Sequence, residues 1–304
     1  MQAIAFLFLS LFLTETAKAN PTTLTIDLPN LPPSAQPLEL VLLSQGEFTM
    51  GAGVEDPARY ETLEWPPHPV TIRQDFYLGR FEITQAQWTA VMDSNPANDI
   101  GLGPDHPVYA ISWQDTQQFL DRLNQTGQGR FRLPTEAEWE YACRADTTTR
   151  FAFPEEVTLG DGYTFDPVLD PFFWWFGNCR ESGSRPVGQK QPNPWGLHDM
   201  HGNVYEWCSD WWEPPYARGP QADPQGPAQG QVHVFRGGHW YGTARHCRSA
   251  FRFYEREAET RGGRFFGFRI VRETDPSTVP NWDAMHLKMR AYPSSATTRE
   301  NLPR

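Results

Sequence analysis

Apolar and polar residues alternate along this chain in short runs, each closed within a few residues by Gly, Pro, Asn or Asp. A period of two marks extended chain, so Leu40–Leu43, Glu47–Met50, Val70–Ile72 and Phe76–Phe81 are predicted as strands. Later runs at Val232–Arg236, Arg248–Phe253 and Phe266–Val271 read the same way. A helical period appears in three places only. Thr84-Gln85-Ala86-Gln87 has the form of a capping box and opens a helix over Gln85–Met92. Ser112 caps Trp113–Asn124, where Trp113, Thr116, Leu120 and Leu123 share one face. After Pro134, Thr135-Glu136-Ala137-Glu138 opens the third helix. Short strands and a few short helices joined by long loops predict an α+β fold with low regular content.

The pattern fades over residues 146–194, which hold Phe151, Phe153, Phe172, Phe173, Trp174, Trp175 and Phe176 among Gly, Pro and Asp. A structureless stretch of that length is expected to be pinned by a metal or a disulfide. Pro214–Gln231 reads as a further loop and residues 20–38 as a Pro- and Leu-rich lead-in. One domain is therefore predicted over residues 39–273, with a polar tail over 274–304.

Composition narrows the function classes. Aromatics make up 14% of the 304 residues, so a sizeable core is available, while 24 Gly and 28 Pro argue against a helical bundle. The net charge of −11 argues against nucleic acid as the main partner, because phosphate binding needs a basic face. Ala3–Leu13 is an apolar run too short to span a bilayer, and Ala17-Lys18-Ala19 has the form of a cleavage site. Residues 1–19 are thus predicted to be a signal peptide, and the mature chain to be periplasmic or secreted, with no membrane span. In that compartment Cys143, Cys179, Cys208 and Cys247 are expected to form disulfides, with three pairings open.

Several segments recur together in a fixed order. They are Phe48-Thr49-Met50-Gly51, His68-Pro69-Val70, Glu82-Ile83-Thr84-Gln85 and Arg132-Leu133-Pro134-Thr135-Glu136-Ala137-Glu138-Trp139-Glu140. Gly196-Leu197-His198-Asp199-Met200-His201-Gly202-Asn203-Val204-Tyr205-Glu206-Trp207, Arg236-Gly237-Gly238 and Gly267-Phe268-Arg269 follow. In this order they resemble the sulfatase-modifying factor (formylglycine-generating enzyme) family over about residues 40–272. The resemblance implies that family's loop-rich, C-type-lectin-like α+β fold. Its members include copper-dependent generators of formylglycine, a pyoverdine-maturation oxidase and sulfoxide synthases of ergothioneine pathways.

Candidate chemistry follows from residue types and from the resemblance. Asp199 and Glu206 flank Gly202-Asn203-Val204, and oxygens converging from one short loop suit Ca²⁺. In calcium-binding relatives the matching ligands are a side chain at Asp199, carbonyls at Gly202 and Val204, and the carboxylate of Glu206. The alternative is that both carboxylates pair with arginines. The family's catalytic motif, G-G-S-x-x-C-x-x-x-x-C, holds Cu(I) between two thiolates. Here His239 replaces the Ser and Gly242 the first Cys, while Cys247 falls at the second under one alignment. At most one thiol remains, so genuine formylglycine generation is not expected. Iron or copper held by His239, His246 and Cys247, with His198 and His201, is a further expectation. His239, Cys247, Trp207 and Arg252 are the candidate catalytic residues. The expected activity is oxidoreductase-type, on a peptide or a secreted metabolite such as a siderophore precursor. The competing expectation is a non-catalytic, calcium-stabilised binding domain.

Overall fold

The computed structural model describes residues 22–274 apart from 54, 55, 57, 60–62, 154–156 and 158. The segment 1–19 predicted to be a signal peptide and the predicted tail beyond Thr274 lie outside the described residues. The chain opens with five strands: β1 (Thr23–Ile26), β2 (Leu38–Leu43), β3 (Gly46–Met50), β4 (His68–Ile72) and β5 (Phe76–Gly79). Then come α1 (Gln85–Met92), α2 (Trp113–Asn124), β6 (Phe131–Arg132), α3 (Glu136–Arg144) and α4 (Phe176–Cys179). The second half holds β7 (Tyr205–Trp211), β8 (Gln221–Ala222), β9 (His233–Arg236), a 3₁₀ turn (Ala244–Cys247) and β10 (Arg252–Phe253). It closes with α5 (Arg256–Arg261), β11 (Phe266–Gly267) and β12 (Val271–Glu273). Three small sheets run β1-β2-β5-β12-β6, β10-β9-β7-β11 and β3-β4-β8. This is the α+β arrangement the sequence predicts.

The three predicted helix starts carry capping boxes at Thr84, Ser112 and Thr135, with Gln87, Asp115 and Glu138 as reciprocal partners. Each box satisfies two backbone donors that the first turn leaves open. The lead-in is more ordered than its pattern suggests. β1 pairs antiparallel with β2, Ile26 opposite Leu38, because Ile26 and Leu28 are buried in the largest core cluster. The run Phe266–Val271 is two strands, not one. β11 pairs parallel to β7 and β12 antiparallel to β5, and the chain crosses between the sheets with Phe268 and Ile270 fully buried.

Residues 146–194 are held by aromatic stacking rather than by a disulfide. Phe153 lies 4.0 Å from Phe172 and 5.1 Å from Phe151 between ring centroids, and Phe173 lies 5.0 Å from Trp175. Together with Leu169, Ala244 and Cys247 they form a separate buried cluster.

Elsewhere buried arginines tie the short elements together. Arg236, at the end of β9, reaches Glu140 on α3 and donates to the carbonyl of Ala250 at 2.8 Å. Arg252 forks onto Glu136 at 2.6 and 2.7 Å, and Arg269 onto Glu206 at the same distances. Removing one member of such a pair strands its partner in a low dielectric. Arg236→Leu is expected to lower unfolding free energy in urea by about 3–5 kcal/mol; a loss under about 1 kcal/mol would show that Glu140 finds another partner.

Candidate functional site

The loop after β9 is shaped by two glycines at positive φ, Gly237 (94°) and Gly238 (79°). A Cβ on Gly238 would lie 2.7 Å from Cys247 Sγ and 2.9 Å from its backbone nitrogen. Only glycine lets this loop close on the 3₁₀ turn. The His239 ring sits between Tyr205 (4.6 Å) and Phe265 (4.3 Å), and its Nδ1 accepts from the Tyr241 N–H at 3.3 Å. Its proton therefore resides on Nε2. Burial, with His246 nearby, lowers the His239 pKa to about 3. His246 stacks on Phe251 at 4.7 Å, and burial with the Arg248 charge brings it to about 4. Both imidazoles are neutral at physiological pH.

Helix α4 is anchored to this loop by Phe176 N–H donating to Gly242 O at 3.0 Å. Phe176 in turn meets Tyr163 at 5.1 Å and Tyr241 at 5.2 Å, and Tyr241 is half-exposed. A cavity of about 590 Å³ adjoins these rings, lined by Tyr163, Phe165, Phe176, Asn178, Cys179 and Arg180. The arrangement offers aromatic faces for stacking beside two neutral imidazoles.

The expected disulfides are absent: all four cysteines are buried free thiols. Each sulfur lies against a different backbone carbonyl, Cys143 by Met200, Cys179 by Trp175 and Trp240, Cys208 by Glu206, and Cys247 by Thr243. Burial pushes Cys143 and Cys179 up to about 12, and Cys208 and Cys247 well above their usual value. None is a thiolate nucleophile in this state.

Of the predicted site residues, the loop brings together His239, His246 and Cys247. Trp207 is elsewhere, fully buried, with Nε1 donating to Ile111 O at 3.4 Å. Arg252 is buried on Glu136, its guanidinium 4.3 Å from the Trp212 ring and 4.2 Å from Tyr216. His201 Nδ1 donates to Cys247 O at 2.7 Å and Nε2 accepts from Ala152 N–H at 3.0 Å. Both of its nitrogens are committed to backbone, so it has none left for a metal. His198 Nδ1 donates to Lys190 O at 2.9 Å, and its ring packs on Phe81. Among the described residues no three or more His, Cys, Asp or Glu side chains are placed to hold a metal ion.

The calcium set does not fit either. Glu206 Oε2 accepts from Arg269 and from Trp139 Nε1 at 2.7 Å, and Oε1 accepts from Arg269. A carboxylate so engaged is already neutralised by the Arg269 fork, which a divalent cation would have to displace. Asp199 differs, since Oδ2 accepts from Gly188 N–H at 2.7 Å while buried Oδ1 has no partner. Beside it is a residue the site reading missed. Glu82 is fully buried and accepts from Asn203 Nδ2 at 2.7 Å and from Val204 N–H at 3.2 Å. Burial, then Asp199 and Glu206, raise its pKa well above the carboxylate range. Asp199 is raised to about 6, mainly by burial. Glu82 stood inside one of the recurring segments, but no local signal pairs it with a residue 121 positions away.

Nor do the residues fit a bis-thiolate copper site. Position 242 has no side chain, and a Cβ built there would lie 3.1 Å from Cδ2 and Nε2 of His239. A side chain at 242 would therefore crowd the imidazole, which would have to give by a few tenths of an ångström.

The fold and these segments define a class, and comparison with known proteins agrees. The chain belongs to the sulfatase-modifying factor family: the model of the sulfatase-modifying factor enzyme 1-like domain matches residues 28–274. The formylglycine-generating enzyme of Streptomyces coelicolor is 35% identical over 190 residues, covering 59% of this chain and 56% of that protein. That of Bos taurus is 28% identical over 265 residues, covering 69% and 68%. The chain thus spans just over half the length of the first of these relatives. Among solved structures, PvdO from Pseudomonas aeruginosa superposes with a TM-score of 0.70 at 26% identity, over 85% of this chain and all of that one. Treponema denticola variable protein 1 shares the fold, with a TM-score of 0.69 at 23% identity over 84% of this chain and all of that one.

Two outcomes are expected here. Gly242→Cys alone should not bind Cu(I) in a competition titration, whereas His239→Ser/Gly242→Cys, with the ring removed, should take up one ion per chain. Equal uptake by both variants would show that the imidazole is not the obstacle. Asp199 has a folded pKa above its unfolded value, so its contribution is complete at low pH and is lost as pH rises through about 6. Asp199→Asn does not titrate, and its melting temperature relative to wild type should rise from pH 5 to pH 8. A constant difference across that range would contradict the assignment.

Proposed function

We propose that the chain is an exported, oxidoreductase-type member of its family that acts on a peptide or a secreted small metabolite, such as a siderophore precursor, and does not generate formylglycine. The observation that carries the second half is Gly242, which offers no thiol and packs against the His239 ring, beside a protonated, buried Cys247. The first half is supported by the cleft of Tyr163, Phe176 and Tyr241 next to that loop, whose exposed rings suit an aromatic or extended ligand. Likeness to PvdO over its whole length adds support. Export rests on the leader read at residues 1–19, and a periplasmic or extracellular substrate follows from it.

A second reading has its own observation. With a protonated Cys247 and two neutral imidazoles, the loop presents no ionised nucleophile, which favours a binding domain that performs no reaction. Oxygen uptake separates the two. Purified chain is incubated with cysteine-containing sulfatase peptides plus Cu(I), and in parallel with aromatic peptides and siderophore precursors. No aldehyde is expected by mass spectrometry on the sulfatase peptide, and its appearance would sink the proposal. Oxygen uptake with the other compounds, lost in Tyr241→Ala, is the expected result. Saturable binding with no uptake would instead establish the binding domain.

A further inference from the structure

A separate cavity of about 300 Å³ lies under the loop joining β7 to β8. Neither His239 nor Cys247 lines it, and it does not depend on the reaction proposed above. At its wall stands Asp210, the penultimate residue of β7, only 4% exposed. Its Oδ2 accepts from the Glu136 N–H at 2.8 Å and from Ser209 Oγ at 3.1 Å. Its Oδ1 receives no hydrogen bond from any described residue, although the loop closes on it, since a Cβ on Gly226 would lie 3.2 Å away.

The groups around this oxygen leave it uncompensated. Arg252 lines the same cavity, but its guanidinium is taken by the Glu136 fork and by the carbonyls of Leu63 and Glu213. Tyr216 turns its hydroxyl to Glu136 at 3.1 Å. His68 donates from Nδ1 to Pro66 O, which leaves Nε2 as an acceptor. Glu213 adds a further negative charge to the lining, and Glu138 lies close enough to act on Asp210. Burial, reinforced by Glu136, raises the Asp210 pKa to about 7. Apart from Gln221 and Gln225, neither of which hydrogen-bonds to Asp210, the remaining wall is mostly apolar, with Met50, Ala137, Pro215 and Pro227 beside the Trp211 and Tyr216 rings.

A carboxylate oxygen on a largely buried side chain, without a protein donor and opening onto a mostly apolar cavity, suits a cation that brings its own hydrogens. One free carboxylate falls short of the oxygen shell a metal ion needs, while a short aliphatic stem fits the walls. We propose that this cavity is a binding site for an ammonium or guanidinium group on a short alkyl chain, with Asp210 Oδ1 as its acceptor. The same head group occurs on free diamines and on peptide lysine or arginine side chains.

The test uses the whole chain with three probes, cadaverine, agmatine and Nα-acetyl-lysine methylamide, in calorimetric titrations at pH 8 and pH 6. The free amines and the capped lysine distinguish a metabolite from a peptide source. Saturable binding of at least one probe in the millimolar range or tighter is expected at pH 8. It should weaken about tenfold at pH 6, where a group titrating near 7 is mostly protonated. Asp210→Asn keeps an oxygen for the Glu136 N–H and should fold, yet lose about tenfold in affinity, as expected for one charge-assisted bond. No saturable binding of any probe, equal binding by Asp210→Asn, or equal wild-type affinity at both pH values would each overturn the assignment. The pH comparison needs no variant, so it decides the matter even if Asp210→Asn misfolds.

Discussion

The constraint on which the rest depends is the neutralisation of charge inside a protein with little regular structure. Arg236, Arg248 and Arg269 have no exposed surface, and Arg252 has almost none. Each meets a carboxylate from a distant part of the chain: Glu140, Glu64, Glu206 and Glu136 respectively. A buried ion is tolerated only when its partner is held in good geometry with the remaining donors satisfied. Here backbone carbonyls of Gly79, His198, Ala250 and Phe251 take up most of what the carboxylates leave, although Arg236 Nε has no hydrogen-bond partner. Sheets of two- to seven-residue strands cannot fix one another by ladder hydrogen bonds alone. The planar forks set the approach of α3, β7 and β9, because a guanidinium accepts a carboxylate in few orientations.

That constraint explains how far the sequence could be read. The helices carried their own signals. Thr84, Ser112 and Thr135 cap through groups three residues away, and local chemistry of this sort is visible in a sequence. β7 was not visible as a strand. It pairs with β11 on one side and β9 on the other, and five of its seven residues are buried, so no alternation betrays it. Glu206 within it was read as a metal ligand because a carboxylate in a glycine-rich segment suits calcium. Its true partner lies 63 residues later, and only the fold brings Arg269 to it. The weighed alternative, pairing with arginine, is the one the structure shows for Glu206. Asp199 lacks an arginine bond of its own and is held by Gly188 N–H instead.

The loop around His239 was half legible. The loss of a cysteine at 242 is plain from the sequence, but that the His239 ring packs within 3.1 Å of where a Cβ there would stand is a three-dimensional fact. The two departures from the family pattern are therefore one change. A ring in place of a small hydroxyl is compatible with glycine at 242 and crowds anything larger. Likewise the disulfide expectation followed from compartment chemistry, whereas all four cysteines are buried here as free thiols. Cys143 and Cys208 belong to one core cluster and Cys247 to the aromatic one.

Buried acids and bases of opposite tendency also shape how this protein meets pH. His201 and His239 are neutral when folded, with pKa values of about 4 and about 3, so the unfolded chain binds protons first as pH falls below 6.5. Their burial therefore disfavours the folded state in acid. Asp199 and Asp210, raised to about 6 and about 7, act the other way, since the folded chain holds their protons more tightly. The carboxyls weaken the fold as pH rises toward neutrality and the imidazoles weaken it as pH drops toward 4. The two sets oppose each other over the same range, between about 4 and 7, and flatten the net dependence there. A protein built this way holds its fold steady over that range while the buried carboxyls of Asp199 and Asp210 still change protonation.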